Sequence, residues 1–374
     1  MTSLSQTGNI PLFELFFFFL SYLLSYDRNN HLRQHRESLR DVASKYPQPV
    51  RLLALNWSLD QPPATIHRIC GDRVQERGDN HQTLRADAST KSHEEAIWRF
   101  INTTQELSPS EVDTVVEMDI KESLEESLRR AVNGVVGVLG LEMPCDEKIE
   151  EALDLVNEYK PAVKKRDEER KKKTDVVRYY GLLPEIDLES LLDQTFANQE
   201  QNDKGKDVWT HLKTNHRITK RPHVTIVHRN SIHHESELWD RCTVLHEMST
   251  GPLFKGKLTN VVWNDRVMAI TVDDFDLDIM GGGGESSTTT TTGGGGQEGR
   301  AFVSKLSTDV RERLHITVGT KEAGIQPVEA KLMVEEWKKK KNKGGGGGGE
   351  RDEIIKSVKL DDLVVYGRIK GLVN

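Results

Sequence analysis

Ten consecutive charged residues, Lys164 to Lys173 (KKRDEERKKK), interrupt the chain. No hydrophobic core runs through such a segment, because every ionised side chain in it would lose its hydration. The 374 residues are therefore expected to build one core on each side of it, as suits domains of about 150 residues. We place the boundary near residue 160 and read the run itself as a solvated linker helix.

The patterning differs on the two sides. Upstream, Asp27-Arg-Asn-Asn leads into a helix-like stretch from His31 to about Lys45, closed by Tyr46-Pro47. Val50 to Trp57 (VRLLALNW) is a continuous apolar run of the kind found in a central strand of a parallel sheet. Ser92 with Glu95 and Ser108 with Glu111 have capping-box spacing. Leu124, Leu128, Val132, Val135 and Val136, then Ile149, Leu153 and Val156, recur at helical period. This half reads as α/β. Downstream come short strands at Val176 to Gly181 and His223 to His228, and a hairpin formed by Val261 to Trp263, the turn Asn264-Asp265 and Val267 to Val272. That half reads as α+β with antiparallel pairing. Residues 281–296 (GGGGESSTTTTTGGGG) and 344–349 are low-complexity inserts, read as loops.

The apolar run Leu12 to Leu24 has 13 residues, short of the ~18 of a membrane span. No Lys or Arg precedes it, so it lacks the basic start of a secretory signal, the alternative to a buried strand. Residues 1–24 are expected to lie outside both domains and to be foreign to the first. Cys70, Cys145 and Cys242 are too few and too far apart for a disulfide framework or a paired-Cys zinc module, which points to a reducing, intracellular setting. A net charge of −7 argues against coating nucleic acid by bulk charge and leaves RNA contacts local.

Four histidines, His81, His223, His234 and His315, are followed two residues on by Thr or Ser. Only His223-Val-Thr-Ile-Val and His315-Ile-Thr-Val-Gly carry the β-branched neighbours of a strand. Strand alternation then places His223 with Thr225, and His315 with Thr317, on one face. Val224, Ile226, Leu314, Ile316 and Val318 point to the core. Two such pairs facing each other fit phosphodiester hydrolysis without a metal. One imidazole takes a proton from water, the other protonates the departing ribose oxygen, and the hydroxyls bind the phosphate oxygens. The alternative is two half-buried strands whose His and Thr face solvent. His228, His233 and His234 lack the carboxylate or Cys company of a metal site and read as exposed; Lys338 to Lys343 reads as solvated, with a brush against RNA backbone as its alternative.

RPHVTIVHR and LHITVGT, with the hairpin VVWNDRVMAITV, resemble the cyclic phosphodiesterase domain of fungal tRNA ligases, within the two-histidine phosphoesterase superfamily. Asp27 to Arg36 (DRNNHLRQHR) and Arg73 to Leu84 (RVQERGDNHQTL) are similar to motifs of the polynucleotide kinase domain of the same ligases, and the modules follow in the family's order. The resemblance implies an incomplete P-loop-kinase-like α/β domain over 25–159. It implies a two-lobed α+β phosphoesterase domain with antiparallel sheets over 160–374, each lobe giving one His-x-Thr strand to a shared cleft. It further implies RNA end-healing in tRNA splicing. The phosphodiesterase would open 2′,3′-cyclic phosphate ends of tRNA exons to 2′-phosphates through His223, Thr225, His315 and Thr317, with no cofactor. The kinase would phosphorylate 5′-OH RNA from GTP or ATP with Mg2+.

The sealing adenylyltransferase of the family has no counterpart in these residues, so sealing would need a separate activity in trans, and no membrane partner is expected. The nearest approach to G-x-x-x-x-G-K-[ST] is Gly251 to Leu258 (GPLFKGKL), which fails at its last position and precedes a hairpin. The kinase half is accordingly expected to be inactive as it stands. Asp27 remains as a strand-end acid, and Arg73 and Arg77 resemble phosphate-contacting lid arginines; an N-cap and a solvated helix face are their alternatives. The rival readings of the whole chain are a non-catalytic RNA-end-binding protein and a defective fragment of the ligase.

Overall fold

The computed structural model describes residues 30–47, 50–78, 92–158, 177–197, 203–278, 294–342 and 355–373. The readings made for Asp27, His81, the apolar run 12–24, the charged run 164–173, and the inserts over 281–293 and 344–349 lie outside them. The chain divides into two compact units, residues 1–61 with 66–171 and residues 62–65 with 172–374.

The first unit contains α1 (Arg33–Ala43), β1 (Leu53–Trp57), α2 (Pro63–Arg77), α3 (Ser92–Thr103), a 3-10 turn at Pro109–Glu111, β2 (Thr114–Met118), α4 (Leu124–Leu139) and α5 (Asp146–Glu158). Its strands pair in parallel, from Leu53 opposite Thr114 to Trp57 opposite Met118. The apolar run at 50–57 is thus a parallel strand, but not the fully buried central one expected. Among the described residues β1 pairs with β2 alone, and Leu55 and Trp57 are 39% and 46% exposed. α4 starts at a further capping box. Glu126 N–H donates to Ser123 Oγ at 3.2 Å, and Ser123 N–H to Glu126 Oε2 at 2.7 Å. Gly140, in the left-handed region at φ +65°, ends it. In α5, Ile149 is buried while Leu153 and Val156 are half-buried.

Arg36 anchors α1. Its guanidinium is buried and donates to the Glu111 carboxylate, to the carbonyls of Asn30 at 3.0 Å and Gln105 at 3.1 Å, and to that of Glu106 at 3.1 Å. That partnering makes a buried charge tolerable.

The second unit contains β3 (Tyr179–Pro184), α6 (Leu188–Ala197), α7 (Asp203–Thr214), β4 (Val224–His228), α8 (Ile232–Glu247), β5 (Phe254–Trp263), β6 (Val267–Leu277), α9 (Gly294–Ser304), α10 (Thr308–Glu312), β7 (His315–Thr320), α11 (Val328–Asn342) and β8 (Lys356–Leu372). All pairings are antiparallel, and the sheet closes in the order β3-β4-β7-β6-β5-β8. The β5–β6 hairpin turns where expected, with Asn264 Oδ1 accepting from Arg266 N–H at 2.9 Å and Val267 N–H at 2.8 Å. The Gly251 to Leu258 string runs into β5, as a strand and not as a helix-opening loop.

The two separate lobes expected from sequence are drawn here into one continuous barrel, whose β4–β7 join has a single paired position, Val224 with Ile316. On the other side β8 changes partner along its length. It pairs with β5 from Lys356 to Gly367 and with β3 from Gly367 to Leu372. The main core lies on one face of this sheet, where Leu182, Val224, Leu258, Met268, Ile270 and Ile316 are fully buried under α6 to α10. On the other face Val262, Val267 and Ala269 pack against Ala330, Met333 and Val334 of α11.

Three local expectations need correcting. Val176 lies outside the described residues and Val177 and Arg178 are not in the strand; β3 runs from Tyr179 past the expected end at Gly181 to Pro184, buried throughout. Gly294 to Gly296 start α9, so the glycine insert is not a loop to its end; Gly299 of the same helix packs near Leu277 and Pro252. Lys338 is not solvated. α11 carries it onto β6, where Nζ donates to Asp273 Oδ1 at 2.7 Å and to the Val272 carbonyl at 3.3 Å. Among the described residues no helix is long and apolar enough to cross a membrane.

Candidate active site

β4 and β7 are neighbours, so the chain brings its two His-x-Thr segments side by side. Val224, Ile226, Leu314, Ile316 and Val318 are at most 1% exposed and face the main core. His223, Thr225, His315 and Thr317 occupy the alternate positions. His315 is buried and the other three are half-buried. Across the ladders Thr225 stands opposite Gly181 and Thr317 opposite Ala269. Each hydroxyl therefore faces a residue too small to cover it.

The imidazoles are held alike. His223 Nδ1–H donates to the carbonyl of Arg221 at 2.9 Å, and His315 Nδ1–H to that of Arg313 at 2.7 Å. A carbonyl only accepts, so Nδ1 carries the proton and the Nε2 lone pair is left to act on a ligand. Burial pushes the His315 imidazole down to about 4; the Arg313 carbonyl opposes this, and the positive charges of His223, Lys338 and Lys331 add to it. Burial also lowers His223, against the hydrogen bond to the Arg221 carbonyl and together with the Arg221 charge. Both shifts favour the neutral ring. Tyr179 packs beside His223, its ring centroid 4.8 Å from that of His223 and 6.1 Å from that of His228.

Sequence reasoning overlooks several participants. Arg221 and Arg313 each stand two residues before the histidine, so the repeated unit is Arg-x-His-x-Thr, a signal present in the sequence. Lys338 and Tyr179 reach the site from α11 and β3, which no local pattern reveals. Thr271, opposite His315 across β6, shares a hydrogen bond of 2.9 Å with Thr259, whose hydroxyl also meets Asp273 Oδ2 at 2.6 Å.

The remaining candidates are not gathered here. His233 and His234 lie exposed in the first turn of α8, and exposed His228 accepts at Nδ1 from Asn230 N–H at 3.1 Å. Arg73 and Arg77 belong to the first unit. Arg73 Nη2 donates to the carbonyls of Ile120 at 2.7 Å and Glu122 at 2.6 Å, so it braces the end of β2. Partial burial lowers the Arg77 guanidinium, against the Cys70 thiol beside it. Asp27 lies outside the described residues.

Residues 122–371 match the family model for the fungal tRNA ligase phosphodiesterase domain, and residues 20–121 match that for the tRNA ligase kinase domain. The two spans meet at 121/122, upstream of the division between the compact units, so α4 and α5 fall within the phosphodiesterase span while clustering with the first unit. A crystal structure of a fungal RNA kinase is similar at 17% identity over 98% of this chain and 90% of that one, with a TM-score of 0.31. No curated protein matches the chain.

Proposed function

The chain belongs to the fungal tRNA ligase phosphodiesterase family, and from that premise we propose that its second unit opens RNA 2′,3′-cyclic phosphates to 2′-phosphates with no metal required. Two imidazoles on adjacent strands, each anchored through Nδ1 and each followed two residues on by a threonine, support this reading. Water attacks phosphorus as one Nε2 takes its proton. The 3′-oxygen leaves with the proton of the other imidazole, now charged, and the P–O3′ bond breaks to give a 2′-phosphate. Thr225 and Thr317 donate to the non-bridging oxygens, where charge builds in the transition state.

His315 is assigned as base and His223 as acid. A base must be neutral before the reaction. His315 is the imidazole on which burial and the charges of His223, Lys338 and Lys331 all act against protonation. The phosphate anion restores the charged form of His223 on binding.

The test is hydrolysis, in EDTA, of an RNA oligonucleotide ending in a 2′,3′-cyclic phosphate. The expected product is the 2′-phosphate, abolished by His223→Ala and by His315→Ala in chains that stay folded. A phosphodiester with a nitrophenol leaving group needs no general acid, so it should rescue His223→Ala and not His315→Ala. Rescue of the other variant would exchange the roles. No turnover by the folded wild-type chain would instead support a protein that only holds RNA ends.

For the first unit we propose no phosphoryl transfer by this chain alone. Arg73 is engaged by backbone carbonyls, and the nearest Gly-x-x-x-x-Gly-Lys string is a strand of the other unit. Phosphorylation of 5′-OH RNA from GTP or ATP with Mg2+ by the purified chain would overturn this. RNA exon ends are the proposed partner, within tRNA splicing in the nucleus or cytoplasm.

A further inference from the structure

The two strands that carry the reactive pairs are the ones least tied to each other by backbone. β4 and β7 share one paired position, Val224 with Ile316, whereas β6 and β7 share five. Upstream of β4 the chain is tied to β7 by a bridge from Ile218 to Gly319 and by Thr219 N–H donating to the Val318 carbonyl at 2.8 Å, and on β4 itself a side chain adds to the join. Arg313, the residue that caps α10 just before β7, sends Nη2 to the carbonyl of Ile226 in β4 at 2.9 Å. Its Nη1 lies 2.7 Å from Oε1 of Glu235 in α8, and the two side chains are only 14% and 19% exposed. Glu235 is held at a break in its helix, with φ −131° and ψ 31°. Its other oxygen, Oε2, is buried with no hydrogen-bond partner. The carboxylate thus has Arg313 as its ion-pair partner. The carbonyl of that same Arg313 receives the Nδ1–H of His315.

We propose that Arg313, anchored by Glu235, is a positioning residue that sets the distance and register between the His223-x-Thr225 and His315-x-Thr317 strands. This rests on the phosphodiesterase reading of those strands. One arginine fixes two things together. Its guanidinium spaces β7 from β4, and its backbone orients the base imidazole. Arg221 places a carbonyl the same way for His223. Each strand is laddered on its far side, β4 to β3 and β7 to β6, and Arg313 acts across the join between them. Misplacement of reacting groups by about 1 Å costs about 100-fold in rate. A guanidinium is needed because two partners in different directions must be met from one planar fork.

The experiment compares full-length wild type, Arg313→Met, Arg313→Lys and Glu235→Gln on the cyclic-phosphate oligonucleotide, with kcat and KM measured separately and thermal midpoints recorded. Turnover by wild type is read first; its absence would sink the phosphodiesterase reading and this inference with it, and the variants bear only on the brace. Arg313→Met is expected to lose about 100-fold in kcat with KM within about threefold, because binding groups stay while their alignment goes. Arg313→Lys, able to meet one partner at a time, should recover only part of that loss. Glu235→Gln keeps an oxygen for the guanidinium and should lose about tenfold in kcat. If Arg313→Met fails to fold, Glu235→Gln decides. Unchanged kcat in a folded Arg313→Met or in Glu235→Gln would overturn the proposal, as would a loss confined to KM.

Discussion

His223 and His315 make the same contact, each ring N–H pointing back to the carbonyl two residues upstream, at 2.9 Å and 2.7 Å. The shared contact fixes one tautomer at both positions, while the surroundings of the two rings differ. His315 is the more thoroughly buried, and its imidazole is held down to about 4. Such a group has a proton-binding penalty only in the folded state. Above the unfolded-state value of about 6.5 both states leave the ring neutral and the stability is fully present. As pH falls from there through about 4 the unfolded chain takes up a proton first, and roughly 3 kcal/mol is lost. His315→Asn removes that term, so the urea midpoints of wild type and variant should diverge progressively between pH 7 and 4. Parallel curves would show that His315 titrates normally.

Thr225 and Thr317 stand opposite Gly181 and Ala269, and the proposed mechanism assigns their hydroxyls to the phosphate oxygens. Thr→Val keeps shape and strand preference while removing the donor. Each substitution should lower kcat on the cyclic phosphate by about 100- to 1000-fold, the usual loss for one donor to developing charge. Thr→Ser should retain most of the rate. If either valine variant turned over within tenfold of wild type, that hydroxyl would not be a transition-state donor.

Legibility followed the range of the interactions. The His-x-Thr faces and the Asn264-Asp265 turn depend on neighbours in sequence, and period-2 alternation or a single Asx turn reveals them. Barrel closure depends on β8, whose residues 356–372 mix Lys356, Lys359, Asp361 and Arg368 among apolar ones. A strand that changes partner midway has no single alternating pattern to read. The same holds for Lys338. A lysine run beside glycines looks solvated until α11 lays it on β6. Arg36 sits inside a motif quoted for its resemblance to the kinase, yet its carboxylate partner and two of its three carbonyl partners come from residues about 70 positions away.

Lys338 and Asp273 form a pair in which the lysine is 11% exposed and the aspartate 38%. Solvent screens the carboxylate, so the pair is worth less than a fully buried one. Lys338→Met should cost roughly 2 kcal/mol, most of it the hydrogen bonds to the charged group and the Val272 carbonyl. In a double-mutant cycle with Asp273→Asn the two losses should fall short of additive. A free energy of unfolding unchanged within about 0.5 kcal/mol would show that the ammonium spends its time in water.

Gly367 marks the residue where β8 leaves β5 for β3, opposite both Phe254 and Pro184. A Cβ there would meet the Leu183 carbonyl oxygen at 2.1 Å, far inside contact distance, and that atom is backbone in a paired strand. A flexible side chain could step aside; the β3 carbonyl moves only if the ladder opens. Gly367→Ala is therefore expected to cost about 3 kcal/mol or more. Gly324→Ala, with nothing within 4 Å of its added Cβ, is the control and should stay within about 0.5 kcal/mol of wild type. Opening at Gly367 separates β3 and β4 from β5, β6 and β7 on the side away from Arg313, leaving His223 and His315 on strands joined at one paired position. Activity on the cyclic phosphate should then fall in step with stability as temperature rises, whereas in Gly324→Ala it should not. If Gly367→Ala were as stable and as active as its control, closure through β8 would have no part in holding the two histidines together.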